Sequence, residues 1–500
     1  MNNPLKKEYM RMSAEREPFL ETARKASALT IPSVVPPESL SNGSALPAPH
    51  DSLGTRGVGN IVSKLVLTMF PSDVPFFRLE PTPQVVSEFQ AELGDQANVH
   101  GALREAFSQA ESDSKILFEN YSLRETASTA LETLIISGNS VLNWESADTV
   151  VFGLDQFVVQ RDSGGQLLKM IIEERTSKEL IDPEYLGDSE ESTDDKPIPV
   201  YTGIELRDDD KYHVWQEINE MLVANSEATY TEEDLPYIHL RWRTVKGESY
   251  GRGLVEDVLG WLEKLNALAN LLSDGALLAA RVIFLLDPGS AISLDRLTKA
   301  VTGDVIEGNA EDVSTLQVQK EFDFQTPRAH YGDLHRHLSL AFLLNTAIQR
   351  DAERVTAEEI RFMSQELEAA YGGAYSLLSQ TFQRFLARFL LKDLKVDSSI
   401  KEFADLSIVT GYNGLSRNFE YQKMGIFLQA LQALPQDPYL NQREVREQLG
   451  LLLGIDTKNL LKSEEQVQQE MQQQMLQQAA VESAPGVARE AVKTGEQPNA

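Results

Sequence analysis

From Leu254 the apolar residues Val258, Leu262, Leu265, Ala269, Leu272 and Ala276 recur every three or four positions as far as Ala280. That is the period of an α-helix, and at 1.5 Å per residue such a helix runs roughly 40 Å. Val255, Leu259, Trp261 and Leu268 fall on its other sides, so more than one face needs cover. A compact block with strand-like ends follows from Val282 to Phe324, punctuated by Asp287-Pro288-Gly289 and Glu307-Gly308-Asn309. A second helical stretch then runs from about His330 to Gln349. Two long helices around a small inserted block predict a stalk with a tip.

The rest of the chain reads as helix on either side of a β-rich region. An amphipathic helix is predicted over Glu8–Ala28, a Pro-, Ser- and Gly-rich arm over Ile31–His50, and a helix over Ser52–Phe70 that Pro71 and Pro75 stop. Helical patterning resumes from Ser87 to Ser137, and Gly138-Asn139 marks a turn. Between Ser140 and Trp242 short apolar runs alternate with turn residues, and Gly164-Gly165 predicts a hairpin. Thr356 with Glu359 resembles a capping box opening a helix that persists to about Leu394, interrupted at Gly372-Gly373. A strand-like segment (Leu406–Thr410), further helix (Asn418–Leu461) and a Gln-rich, low-complexity tail complete the pattern, with the last ~20 residues expected to be disordered. The fold class is therefore mainly α with α+β parts.

Charge and cysteine content remove whole classes of function. With no cysteine, disulfides, Cys-ligated metals and thiol catalysis are excluded. The 46 basic against 76 acidic residues give a net charge of −30, the wrong sign for tight binding of nucleic acid through a basic face. Asp182–Asp195 alone holds seven acids and no base, and reads as a solvated loop. The charge-free run Ala369–Gln383 is too short and too polar to span a bilayer, so a soluble chain without a membrane partner is expected.

No motif carries catalysis. The dipeptide Gly-Lys never occurs, so the chain has no Walker loop and is not itself a P-loop motor. Gly54, Gly57 and Gly59 imitate a phosphate-binding loop but follow a Pro-rich arm instead of a strand, which favours tight helix packing. His335 and His337 stand two apart on a helix and point in different directions, which favours packing over a metal. Asp208-Asp209-Asp210, beside Lys211, reads as an exposed turn. No cofactor is expected, and the chain is not read as an enzyme.

Four segments in order give the sequence a family likeness: Ser52-Leu53-Gly54-Thr55-Arg56-Gly57-Val58 running on to Phe70-Pro71 and closed by Pro75-Phe76-Phe77-Arg78-Leu79; Glu248-Ser249-Tyr250-Gly251-Arg252-Gly253 followed by Val255-Glu256-Asp257; Glu353-Arg354-Val355-Thr356-Ala357-Glu358-Glu359-Ile360-Arg361 continuing to Gly372-Gly373-Ala374-Tyr375-Ser376; and Thr410-Gly411 with Leu415-Ser416-Arg417, then Gly454-Ile455-Asp456-Thr457 and the Gln-rich tail. Together they resemble the portal, or head-to-tail connector, proteins of short-tailed bacteriophages that encode their own RNA polymerase. The likeness spans roughly Glu8 to Gln478, and Asp182–Asp195 matches none of its motifs.

That resemblance implies a portal-protein fold assembled as a ring of twelve copies at one capsid vertex of a virion built in the host cytoplasm. DNA would be packaged and ejected through its tunnel. It divides the chain into an N-terminal arm and wing (1–253, helical over 1–137 and β-rich over 140–242), stem helix 1 (254–281), clip (282–325), stem helix 2 (326–350), tunnel-loop region and long wing helix (351–397), crown (398–462) and a largely disordered tail (463–500). The implied partners are further copies of the chain, double-stranded DNA, the large terminase subunit, tail adaptor proteins, and the major capsid and scaffold proteins. Arg350 and Arg354 are the candidates for touching DNA, unless they pair with Asp351, Glu353 or a neighbour's acids. Asp287, Asp304, Glu307 and Asp323 are candidates for docking motor and tail on the clip. The alternative reading is a non-enzymatic capsid scaffold or internal virion protein, which the inserted stem and the Ser52–Leu79 block disfavour.

Overall fold

The computed structural model describes residues 4–38, 44–72, 75–93, 99–144, 149–186, 197–279, 283–289, 292–305, 309–316, 321–344, 357–395 and 404–408, with Glu307 and Gln429 as isolated positions. The chain divides into a unit Met1–Tyr412 and a unit Asn413–Ala500, and the second lies almost wholly outside the described residues. The helix predicted over Asn418–Leu461, apart from Gln429, and the tail expected to be disordered therefore fall outside them as well.

Helices α1 (Leu5–Ala28) and α2 (Leu53–Met69) form where the amphipathic patterns predict them. A short strand that the sequence reading lacks, β1 (Phe77–Pro81), precedes three helices, α3 (Pro83–Leu93), α4 (Val99–Asn120) and α5 (Leu123–Ser137). Gly138 caps α5 with φ +78°, a left-handed conformation open to glycine at little cost.

The β-rich region follows as β2 (Asn139–Asn143), β3 (Val150–Phe152), β4 (Phe157–Arg161), β5 (Leu167–Thr176), β6 (Ile198–Leu206), β7 (Tyr212–Ile218), β8 (Met221–Leu222), β9 (Ala228–Tyr230) and β10 (Tyr237–Arg241). Strands β4-β5-β6-β7-β8 lie in that order, with β9 also on β7, in an antiparallel meander; β10-β2-β3 form a second sheet. The Gly164-Gly165 hairpin is the β4–β5 turn. Asp208–Asp210 form the exposed β6–β7 turn, with Asp210 at φ +58°.

Both faces of the meander are covered, which the period of two makes possible. Phe157, Val159, Met170, Ile172 and Ile204 pack with Leu20 and Ala23 of α1. Val158, Ile171, Tyr201 and Trp215 pack with its other half, Leu5, Tyr9 and Met12. Between the two halves buried Arg16 reaches the edge strand and donates to the Asp155 and Phe157 carbonyls at 2.9 and 3.0 Å.

The stem comes next: α6 (Leu254–Ala279), then β11 (Ile283–Leu286), α7 (Leu294–Lys299), β12 (Val313–Leu316) and α8 (Glu321–Ala341). Helix α8 starts at Glu321, earlier than the His330 of the sequence reading, and runs through Pro327. Its first turn therefore lies inside the stretch assigned to the tip. Proline costs a helix one backbone donor there without ending it. After the stem, α9 (Ala357–Leu378) passes through Gly372-Gly373 with a kink at Tyr371, continues as a π-helical turn over Ser379–Gln383 and becomes α10 (Arg384–Asp393). Strand β13 (Ala404–Ile408) closes the described part by pairing antiparallel with β1, Phe77 opposite Ile408 and Pro81 opposite Ala404.

Candidate functional site

The main core gathers α2, α5, both stem helices, α9 and α10 around Phe342, Leu338, Ile61 and Leu65, all fully buried. Its geometry fixes the two ends between which residues 345–356 run. At the end of α8, Phe342 presses its ring against α2 where Gly57 sits; a Cβ on Gly57 would lie 2.4 Å from that ring. The glycine pattern is thus a helix-packing device. One turn further along the same face, the Asn60 side chain donates to the Phe342 and Leu343 carbonyls at 2.9 and 3.0 Å. Lys64, a turn beyond that, donates to the Leu343 carbonyl at 3.1 Å and pairs with Glu366 of α9 at 2.8 Å.

Orphan carbonyls at a helix end need donors. Here α2 supplies them from side chains four positions apart, Asn60 and Lys64. The Lys64–Glu366 pair is nearly buried, at 10 % and 16 % side-chain exposure. Removing one partner of such a pair leaves a charge with no compensation and costs about 3–5 kcal/mol. Because α9 is also tied to α8 by the Tyr371 hydroxyl on the Ala341 carbonyl, both ends of 345–356 are fastened to one another and to α2.

The other end of α2 is tied to the stem. Asp51 caps the helix by accepting the Leu53 N–H at 2.7 Å, and its second carboxylate oxygen accepts from the Tyr331 hydroxyl of α8 at 2.6 Å. That bond pushes the Tyr331 phenol up to about 12. The His50 N–H donates to Asn266 of α6 at 2.7 Å. Helix α2 therefore bridges both stem helices and α9.

At the base of α6, Gly251 and Gly253 lie against Gly138, where a Cβ on Gly251 would meet the Gly138 carbonyl at 2.5 Å. Asn139 grips this crossing, accepting the Gly251 N–H at 2.6 Å and donating to its carbonyl at 3.0 Å. Arg252 reaches Glu248 at 2.6 Å and Glu256 at 2.7 Å, and Arg243 forks onto Asp257 at 2.6 and 2.8 Å. The two carboxylates hold the Arg252 guanidinium above its ordinary range.

His239 completes the crossing. Its Nδ1 lies 3.0 Å from an Arg161 nitrogen and its Nε2 lies 3.1 Å from Asn139 Oδ1. A guanidinium only donates, so Nδ1 accepts and the ring is neutral. Burial and the neighbouring Arg161 and Arg241 hold it well below the usual histidine range.

Above this base the stem rises as an antiparallel pair. Trp261 of α6 meets His337 of α8 with ring centroids 5.9 Å apart, while Gly275 lies against Phe324. The pair ends in the β11–β12 ladder, Ile283 opposite Leu316. Its outer surface carries exposed apolar residues: Trp261 at 46 %, Leu271 at 50 % and Leu277 at 63 %. Among the described residues, no helix is long and apolar enough to cross a membrane.

The family model for bacteriophage head to tail connecting proteins matches residues 2–403. The chain belongs to that family. Among its relatives, the portal protein of Escherichia phage T7 is 35 % identical over 482 residues, covering 92 % of this chain and 89 % of that protein. The portal protein of Enterobacteria phage T3 is 33 % identical over 479 residues (92 % and 88 % of the two chains), and that of Enterobacteria phage SP6 30 % over 476 residues (92 % and 90 %). A solved structure described as the neck of an empty GTA particle overlaps with a TM-score of 0.37 at 11 % identity, over 81 % of this chain and 90 % of that one, too slight a likeness to add to the assignment.

In this head-to-tail connecting protein the tip carries three of the four acidic candidates as exposed residues. Asp287 accepts the Gly289 N–H at 2.8 Å and Asp304 the Val301 N–H at 2.8 Å, so each shapes its own turn, while Glu307 is simply exposed. Asp323 lies in the first turn of α8, with its side chain outside the described residues. Arg350 and Arg354 also lie outside them. The structure therefore gathers no acidic cluster among the described candidates. What the sequence reading lacks is the clamp itself, Asn60, Lys64, Phe342 and Glu366. A signal existed, because Asn60 and Lys64 interrupt the apolar face that Gly57, Ile61 and Leu65 define on α2.

Proposed function

We propose that this chain acts as a portal: copies close into a ring, twelve in number, at one capsid vertex, and double-stranded DNA passes through the centre in both directions. The role is structural, as a virion component, with no chemistry of its own. The observation that carries the reading is the stem. A 26-residue helix that packs on α8, α5 and α1 still leaves Trp261, Leu271 and Leu277 exposed to water, and a neighbouring copy would bury them.

The acid surplus suits a conduit. Each extra phosphate contact would act as an anchor through counterion release, so a wall with few bases lets a duplex slide. In this reading Arg350 and Arg354 sit on residues 345–356 near the narrowest part, and the clamp from α2 holds the ends of that segment at fixed places. Without a Walker loop the chain needs a separate motor, the large terminase subunit, docking on the tip around Asp287, Asp304, Glu307 and Asp323, where tail adaptors later replace it. The experiment is assembly and packaging in vitro. Rings carrying Arg350→Glu with Arg354→Glu are expected to package more slowly or to retain less DNA, and unchanged rate and retention would remove those two residues from the DNA path. Deleting residues 287–312 is expected to abolish motor binding in a pull-down, and intact binding would move the docking site elsewhere.

A further inference from the structure

Two arginines come together where the β4–β5 turn lies beside the end of β10. Arg161 closes β4 and Arg241 closes β10. The Arg161 guanidinium is held in place, donating to the Gly165 carbonyl at 2.7 Å and to His239 Nδ1 at 3.0 Å. Its Nε is buried with no hydrogen-bond partner among the described residues. Arg241 approaches the same turn, since a Cβ on Gly165 would lie 3.7 Å from its Nη2. The Arg241 side chain is half-buried and makes no hydrogen bond or ion pair among the described residues.

Burial and the like charge of Arg241 lower Arg161 to about 10, and the pull of Asp162 is weaker than that push. Asp162 is moreover engaged by the Gln166 N–H at 2.7 Å. His239, neutral for the reasons above, adds no compensation. Two guanidiniums converging on one turn, one of them with free donors, form a receptor for carboxylates.

The densest source of carboxylates is this chain's own Asp182–Asp195, with seven acids and no base. Within one copy the described start of that stretch, Asp182–Leu186, is at the other end of the sheet. Strand β5 leads away from the β4–β5 turn for ten residues, about 30 Å at ~3.3 Å each. Ile181, Tyr185 and Leu186 are packed at the far end against Ile218, and β6 re-enters there with Ile198 opposite Thr176. The residues between Leu186 and Ile198, even fully extended at ~3.4 Å each, reach less than about 20 Å before turning back. A basic site at one end of a subunit and its acidic complement at the other pair head to tail between copies, the arrangement that generates rings.

We infer that the Arg161–Arg241 pair binds the Asp182–Asp195 stretch of a neighbouring copy. The inference rests on the ring proposed above and adds one contact between its neighbouring copies. Because the chain has no cysteine, disulfide trapping is free of background. Ser163→Cys in the exposed β4–β5 turn and Glu190→Cys are made in separate copies, mixed, assembled and oxidised. Cross-linked dimers of the two variants are expected from rings, and none when Asp208→Cys replaces Glu190→Cys. In a second measurement Arg241→Glu is expected to raise the concentration for half-assembly about tenfold, with recovery when Glu190→Lys and Glu191→Lys are added. Rings that form without the mixed dimer, and with Arg241→Glu assembling as the unaltered chain does, would overturn the inference and leave the ring intact. Failure of the unaltered chain to form rings would overturn the ring itself.

Discussion

Around α2, Leu53, Val58, Ile61, Val62, Leu65 and Met69 are all buried, Gly57 has no room for a methyl group, and Lys64 has its acid within the same chain. Along the stem, Leu271 and Leu277 are at least half exposed, and the tip beyond them leaves Leu294, Val301 and Val305 open to water. Both regions have similar helical patterning, but one closes within a single copy and the other does not. The difference teaches where folding would end and assembly begin: the core around α2 closes within one chain, whereas the stem presents exposed apolar surface that, in the ring proposed above, a neighbouring copy would cover. Substitutions in the two regions should therefore fail in different assays.

The largest effect on the monomer is expected from Phe342→Ala, which empties the centre of the clamp. A loss of about 3–5 kcal/mol should appear in chemical denaturation. A loss under about 1 kcal/mol would show that the end of α8 is not held as described. Gly57→Val should cost about 1–3 kcal/mol by overpacking against the same ring. Gly59→Ala, two residues away with nothing near its Cβ position, should be neutral or stabilise by up to about 1 kcal/mol. Equal effects at the two glycines would break the contrast on which the clamp is argued.

A smaller, pH-dependent effect should come from His239. Its folded-state pKa is depressed, so below about 6.5 the unfolded chain takes up a proton that the folded chain refuses. Stability should thus be complete above that pH and fall as pH drops through the range below it. Replacing His239 by Gln should flatten this part of the profile in denaturation titrations between pH 7.5 and 5.5. An identical slope in both proteins would mean the ring is not held neutral. The smallest monomer effect, within about 0.5 kcal/mol, is expected for Leu277→Ser on the exposed stem. The same substitution should nevertheless weaken ring assembly, seen by light scattering, and a monomer penalty without an assembly penalty would reverse the comparison.

Much of the fold was legible because periodicity reports burial. Leu254–Ala279 and Leu53–Met69 end within a residue or two of where their apolar spacing ends. Strand β1 escaped notice because Phe77–Pro81 is five residues long and is completed only by Ala404–Ile408, a partner more than 300 positions away that no local pattern announces. The early start of α8 was hidden by Pro327, which reads as a break in sequence and is tolerated in the structure. The clamp was only half visible. Gly54 and Gly57 signalled close packing, but that Phe342 and Glu366 would be the partners is a tertiary fact, as is the convergence of Arg161 and Arg241 from strands that are far apart in sequence. The charge of −30, which argues against tight binding of nucleic acid through a basic face, says nothing about which acids meet which bases.

Native mass spectrometry of the purified full chain, followed by electron microscopy of the same sample, tests the account at its centre. A single closed species at twelve times the 55.8 kDa chain mass, with an open channel wide enough for a duplex, is the result the account predicts. A chain that stays at 55.8 kDa at every concentration and salt, or forms open filaments, would contradict it.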